Sequence, residues 1–285
     1  MRECGELGKV FRDLRENRNI SLKEIADENV SISQLSRFER GETDLSVTRF
    51  FQALANMKVE INEYMDLLQK YERSETIEFM SRLIPLEYER NVAGFEALLM
   101  EQQQKYKEAP HIYQYRLNAI LAQGFICKCD PSVKFPKEYM DEIQDYLFSV
   151  EEWKSYELIL IGNLYLFIDT PLLHRMGQEI LGTSAKAKSN RILVTITLLN
   201  IFEVCLQRRD LEIAAYYKEK LPELIKNETY LYERNLYHFL LGLYEYELGE
   251  KAQGKEKMQQ AIQIYQWLGC ENLAENYQKD YEKYI

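Results

Sequence analysis

The side chains best suited to chemistry in this sequence lie in one short stretch: Ser33, Gln34, Ser36, Arg37 and Arg40. Hydroxyl, carboxamide and guanidinium groups bond base edges and phosphates. Bond-breaking chemistry finds little support elsewhere. The three histidines, His111, His174 and His238, are far apart, and none sits in a metal-binding or triad-like motif. The five cysteines are an odd number in a long chain, which fits reduced thiols better than a disulfide framework. Cys127-Lys128-Cys129 is the one close pair, and a single intervening residue with no partner pair is a weak metal signal. There is no phosphate-binding glycine loop. The expectation is a protein that is not an enzyme and needs no metal or cofactor.

The polar stretch needs elements to hold it. Leu7, Val10, Phe11 and Leu14 recur at helical spacing and give a first helix its apolar stripe, with Arg12, Arg15 and Arg18 off that stripe. Asn19 and Ile20 close it. Ser21-Leu22-Lys23-Glu24 is a capping box that opens a short helix from Leu22 to about Asp27. Ser31-Ile32-Ser33-Gln34 is a second such box, opening a helix that ends at Arg40-Gly41, where glycine suits the left-handed residue after a helix. A fourth helix runs from Ser46 through Met57 and a fifth from about Asn62 to Tyr71. Ala26 supplies a small residue where the two capped helices cross. Leu35 and Phe38 face inward toward Leu22 and Ile25, leaving Ser33, Gln34, Ser36, Arg37 and Arg40 outside. Two short capped helices joined by a tight turn within a bundle of five form a helix-turn-helix.

The run from Ser21 to Glu42 resembles the helix-turn-helix of phage-repressor-type (XRE) regulators. The resemblance implies double-stranded DNA as a partner. It puts base reading at Ile32, Ser33 and Arg37 and phosphate contacts near Ser21, Gln34 and Arg40. Arg12 and Arg15 become backbone candidates, and Glu39 falls on a residue that is usually structural. Ile32 stands where the family often has a polar residue. It either touches a thymine methyl or contacts no base.

Beyond the charged break Tyr71-Glu72-Arg73-Ser74-Glu75 the chain reads as helix after helix. Candidates are 75–86, 91–106, 111–126, 137–148, 150–166, 171–182, 190–207, 210–224, 229–248, 251–268 and 270–284. Leu241-Gly242, Gly254, Met258 and Ala261 follow the tetratricopeptide spacing. Ile161-Gly162, Leu199-Asn200 and Leu241-Gly242 repeat at 38 and 42 residues. The expected fold is all-α. It has a five-helix helix-turn-helix domain over 1–66, a linker over 67–75, and a right-handed solenoid of helix pairs over 76–285.

The segment Leu147–Glu157 followed by Gly162-Asn163, the Tyr265–Gly269 stretch and the overall length resemble the Rgg/MutR family of peptide-responsive regulators. The resemblance implies a homodimeric, cytoplasmic transcription regulator whose repeat domain binds a short, mostly hydrophobic signalling peptide. Carboxamides suit an extended peptide because they donate and accept at once. By similarity to peptide-binding repeat regulators, Asn163 and Asn200 are the clamp candidates, with Asn200 one position off the groove in the tetratricopeptide register. Leu166, Ile201, Val204, Phe239, Leu243 and Tyr246 are candidate walls for apolar side chains. Receptors of this family often carry an arginine near Leu166, and Arg191, Arg208 and Arg209 are the cations available elsewhere. Some form a disulfide across the dimer near Val47, and the valine argues against one here.

Charge and composition bound the rest. With 36 basic and 46 acidic residues the net charge is −10, yet residues 1–58 balance ten of each sign. An acidic chain with a neutral N-terminal segment is no general polyanion binder, but it admits DNA binding by a small module. No apolar run is long enough to span a membrane, and no apolar leader opens the chain. The 21 tyrosines fall at helical spacing in an acidic region and read as inter-helix packing. The alternative reading is a helical-repeat interaction scaffold that does not bind DNA.

Overall fold

A computed structural model describes residues 4–68, 75–182 and 191–285. They divide into two compact units, Met1–Arg82 and Leu83–Ile285. Most of the expected linker, 69–74, and the expected end of the fifth helix at Tyr71 lie outside the described residues. Among the described residues there is no strand.

The first unit holds α1 (Cys4–Asn17), α2 (Leu22–Ile25), α3 (Ile32–Glu39), α4 (Val47–Asn56) and α5 (Ile61–Leu68). Both capping boxes form. Ser21 accepts from the Glu24 amide and Ser31 from the Gln34 amide, each at 3.3 Å, while Glu24 and Gln34 reach back to the cap amides. α2 stops at Ile25 rather than at Asp27. The Asp27 carboxylate instead accepts from the Asn29 and Val30 amides at 2.8 and 3.0 Å, which fixes the turn into α3. Gly41, at φ 70°, closes α3 with Gly41 N to Phe38 O at 2.8 Å and Glu42 N to Arg37 O at 2.9 Å. Phe11, Ile25, Val30, Leu35, Phe38, Leu54 and Tyr64 are buried in one core. Phe11 meets Phe38 at 5.6 Å between ring centroids, and Phe50 meets Tyr64 at 4.8 Å. The Tyr64 hydroxyl donates to Leu7 O at 2.8 Å and ties α5 to α1.

α6 (Glu75–Tyr88) crosses the boundary between the units. The second unit continues with α7 (Val92–Glu108), α8 (Gln114–Cys129), α9 (Lys137–Ser149) and α10 (Ser155–Leu164). A 3-10 turn (Tyr165–Phe167) leads to α11 (Thr170–Gly182), α12 (Arg191–Gln207) and α13 (Leu211–Leu224). α14 (Leu231–Glu247), α15 (Lys251–Trp267) and α16 (Glu271–Tyr284) end the chain. The helix expected over 150–166 begins later, at Ser155. The Trp153 indole donates to Leu147 O at 3.0 Å and Glu157 accepts from the Lys154 amide at 2.9 Å, so the chain folds back before the helix starts.

Helices pack in adjacent pairs, α7 on α8, α12 on α13 and α14 on α15, while α8, α10, α12 and α14 also follow one another in a row. Small residues allow the close approaches. A Cβ on Gly242 would stand 2.7 Å from Gly254 O, and one on Gly254 would stand 2.5 Å from Gly242 O. In the row, Asn200 donates from Nδ2 to Gly162 O at 2.8 Å. The three aligned sequence pairs therefore sit on alternate helices of one stack, α10, α12 and α14, as a helix-pair solenoid requires.

Candidate functional site

α3 turns Leu35 and Phe38 into the core, which leaves Ile32, Ser33, Ser36, Arg37 and Arg40 on its outer face. One contact holds it from behind, and a second holds the end of α2 and the turn that leads into it. Arg15 on α1 donates from Nε and Nη2 to the two Glu39 carboxylate oxygens at 2.6 and 2.9 Å, and from Nη1 to Ile20 O at 3.0 Å. Asn56 on α4 donates to Ile25 O at 2.7 Å and to the Asp27 carboxylate at 3.0 Å. The amide of Asn56 is the main reason the Asp27 carboxyl sits below its usual range. Asn56 was not among the residues singled out from sequence, because its partners lie about thirty positions earlier in the chain.

Each expected DNA contact has a definite place. Arg37 is 56% exposed, and its ion pair with Glu42 is long at 3.9 Å, so its donors remain available. Ile32 is 47% exposed on the first turn. The Ser33 hydroxyl lies 3.0 Å from that of Ser31, and Gln34 spends its side-chain oxygen on Ser31. Ser21 is exposed but donates to Glu24 at 2.7 Å. Arg40 is exposed in a two-point pair with Glu42 at 2.6 and 3.0 Å, which holds the Glu42 carboxyl below its usual range. Arg12 is exposed and pairs with Glu16 at 2.7 Å. Arg15 is a correction. Its side chain is only 13% exposed and that of Glu39 only 6%, and three of its donors are committed, so it holds α1 to α3 rather than reaching for phosphate.

The second unit redistributes the apolar candidates. Ile201, Val204, Phe239 and Leu243 are buried core, not open walls. α12 is apolar on nearly every face because α10, α11, α13 and α14 all pack against it. Tyr246 is half-buried, with Lys251 and Lys255 of α15 over its ring at 5.6 and 5.8 Å, so it packs toward α15. Asn163, Leu166 and Asn200 are half-buried. Asn163 donates to Ile159 O at 2.8 Å within its own helix, and Asn200 to Gly162 O, which leaves both side-chain oxygens to accept. Arg208 donates to Leu166 O at 2.8 Å and Ile168 O at 2.7 Å, so it braces the 3-10 turn instead of offering a free charge.

A polar cluster between distant helices was not anticipated. Gln207 on α12 donates to Glu203 at 3.1 Å and to the Tyr284 hydroxyl on α16 at 2.7 Å. Burial pushes the Glu203 carboxyl up to about 7, with Asp280 adding repulsion. Among the described residues no group of His, Cys, Asp and Glu could hold a metal ion, and no helix is long and apolar enough to cross a membrane.

A helix-turn-helix with its second helix exposed, followed by stacked helix pairs, defines a DNA-binding regulator with a helical-repeat domain. Residues 11–64 match a helix-turn-helix family, and residues 96–279 match the C-terminal domain of the HTH-type transcriptional regulator Rgg. The chain belongs to the Rgg family of transcriptional regulators, which are not enzymes. It is 30% identical to the SHP pheromone receptor Rgg2 of Streptococcus dysgalactiae, over 98% of this chain and 100% of that one, with a TM-score of 0.80. ComR from S. thermophilus, solved with DNA and its signalling peptide ComS, shares the fold at 16% identity and TM-score 0.64 over 98% and 99% of the two chains. Bacillus thuringiensis PlcR, in complex with the peptide PapR7 and DNA, does so at 14% and 0.68 over 97% and 99%.

Proposed function

We propose that this regulator reads a near-palindromic promoter site as a homodimer in the cytoplasm, and that a short hydrophobic signalling peptide bound to its repeat domain controls it. The observation that carries the DNA half is the outer face of α3. Arg37 stands there with open donors while the Arg15–Glu39 pair holds the helix from behind and Asn56 holds the turn before it. An exposed second helix of this kind enters the major groove, and two copies read two half-sites. Within the site Arg37 reads a base, Ile32, Ser33 and Gln34 flank it, and Ser21, Arg12 and Arg40 face phosphates once their acidic partners release them.

Rgg2, ComR and PlcR support the peptide half, since each is described with a pheromone or signalling peptide. Asn163 and Asn200 are the proposed clamps, because their free side-chain oxygens suit peptide N–H groups. Leu166 is the proposed apolar contact. The test is footprinting of the DNA flanking the gene, with wild-type protein and Arg37→Ala, with and without short hydrophobic peptides from culture medium. The expected result is a protected near-palindrome that changes with peptide and is lost in the variant. Protection unaffected by Arg37→Ala would refute the placement of the reading helix.

A further inference from the structure

We propose that Glu203 and Asp280 form a seat inside the repeat domain for a cationic group of the peptide, an ammonium or a guanidinium, an inference that rests on the peptide reading above. Asn200, Glu203 and Gln207 are spaced three and four residues apart on α12, so they share one face, and all three are half-buried. A peptide backbone held at Asn200 therefore passes within one helical turn of the Glu203 carboxylate. Asp280 lies on α16 one turn before Tyr284, whose hydroxyl accepts from Gln207 at 2.7 Å, and its charge acts on Glu203. Tyr165 from the 3-10 turn, Tyr232 from α14, and Tyr277 and Tyr284 from α16 lie within electrostatic reach of the same carboxylate. Carboxylates among aromatic rings hold a cation by charge and by the ring faces together.

The protein's own cations leave that seat open. Lys128 pairs with Glu87, Arg90 donates to Cys129 O at 3.3 Å, and Lys283 lies 5.9 Å from the centroid of the Tyr284 ring. Lys128 and Lys283 attract both carboxylates and Arg90 attracts Asp280, but among the described residues neither carboxylate forms an ion pair. Burial outweighs that pull and holds both carboxyls above their usual range. A desolvated carboxylate without a partner is costly, and an incoming cation removes the cost. Polar atoms are also left over at the α14 wall. Asn235 lies three residues on from Tyr232, and the Tyr265 ring lies 6.4 Å from that of Tyr232. Among the described residues the Asn235 side-chain oxygen and the Tyr265 hydroxyl are buried with no hydrogen-bond partner. The site is short of N–H donors, and an ammonium or a guanidinium brings several.

The test neutralises the peptide one charge at a time. Peptides are selected by the full-length protein from a synthetic library of random octapeptides carrying a C-terminal dye, and are identified by mass spectrometry. The tightest binder is remade with each lysine or arginine replaced singly by norleucine, and separately with its N-terminal amine acetylated. Affinity is read by fluorescence anisotropy at about pH 8, where Glu203 is ionised. The expected result is one change that weakens binding about ten- to a hundredfold, as loss of one charged hydrogen-bonded contact implies. Which change does so tells a side-chain cation from the terminal ammonium. In Glu203→Gln, which keeps an acceptor for Gln207, that penalty falls below about threefold, and in Glu203→Asp most of it remains. The inference is overturned if no neutralisation costs more than about twofold, or if the full penalty persists in both Glu203→Gln and Asp280→Asn. A protein that enriches no peptide from the library would overturn the peptide reading itself, a result distinct from selected peptides indifferent to their charge.

Discussion

Arg15 and Arg37 are the same residue type on the same small bundle, and burial gives them opposite work. Sequence spacing placed both off the apolar stripes, but it could not show that Glu39, 24 residues away, closes on Arg15. Arg15→Ala leaves a nearly buried carboxylate without its partner and is expected to destabilise the first unit by about 3 kcal/mol. Arg37→Ala should change stability by less than about 0.5 kcal/mol while abolishing specific binding. Thermal melts paired with anisotropy separate the two, and equal stability losses would refute this division of roles. Glu203 was illegible for a similar reason, since its surroundings come from helices far apart in sequence. Its folded carboxyl is raised to about 7, chiefly by burial and then by Asp280, against the opposing pull of Lys128, the Gln207 bond and Lys283. A raised carboxyl contributes most below the ordinary carboxylate range, and that contribution is lost as pH rises toward 7. Glu203→Gln should therefore match wild type at about pH 4 and exceed it at about pH 8 by up to about 3 kcal/mol. A stability gap that does not widen between those pH values would count against a desolvated carboxyl.

Local signals carried well at the level of elements. Both capping boxes and the Gly41 stop are covalently local, so the sequence contains the whole interaction and the helix starts follow. Tertiary contacts set the remaining boundaries, as Trp153 does where it delays α10. For α12 the periodicity had nothing to discriminate, because a helix apolar all round presents no stripe. Ile201 and Val204 could not be told apart from groove walls until four neighbouring helices were seen to cover them. Gly8 shows the reverse case, a strict requirement with no local signature. A Cβ there would lie 1.9 Å from Phe38 O, so α1 can approach α3 only with glycine. Gly8→Ala is expected to cost at least about 2 kcal/mol and to weaken DNA binding by displacing α3. Gly5→Ala, on the same helix with nothing within 4 Å, is the control and should be neutral or slightly stabilising. Indistinguishable melting temperatures for the two variants would remove the close approach as a determinant of the fold.

The whole molecule joins a charge-balanced segment over residues 1–58 to a remainder that carries the entire net charge of −10. Such a chain gains little from general attraction to DNA, so on the proposed function its affinity comes from the few contacts of α3 and from pairing two copies. On the proposed function, the simplest mode of peptide control acts on the affinity of that arrangement. A peptide can shift it only by binding one state better than the other, and the coupling is reciprocal. If saturating peptide changes operator affinity by some factor, saturating operator must change peptide affinity by the same factor, typically within about 5- to 150-fold. Two anisotropy titrations measure this, one with labelled operator and one with labelled peptide. Equal factors would place the control in DNA affinity. A peptide that binds with the same affinity whether or not operator is present would exclude that mechanism, and peptide would then have to act after DNA is bound, on the contacts the regulator offers to the transcription machinery.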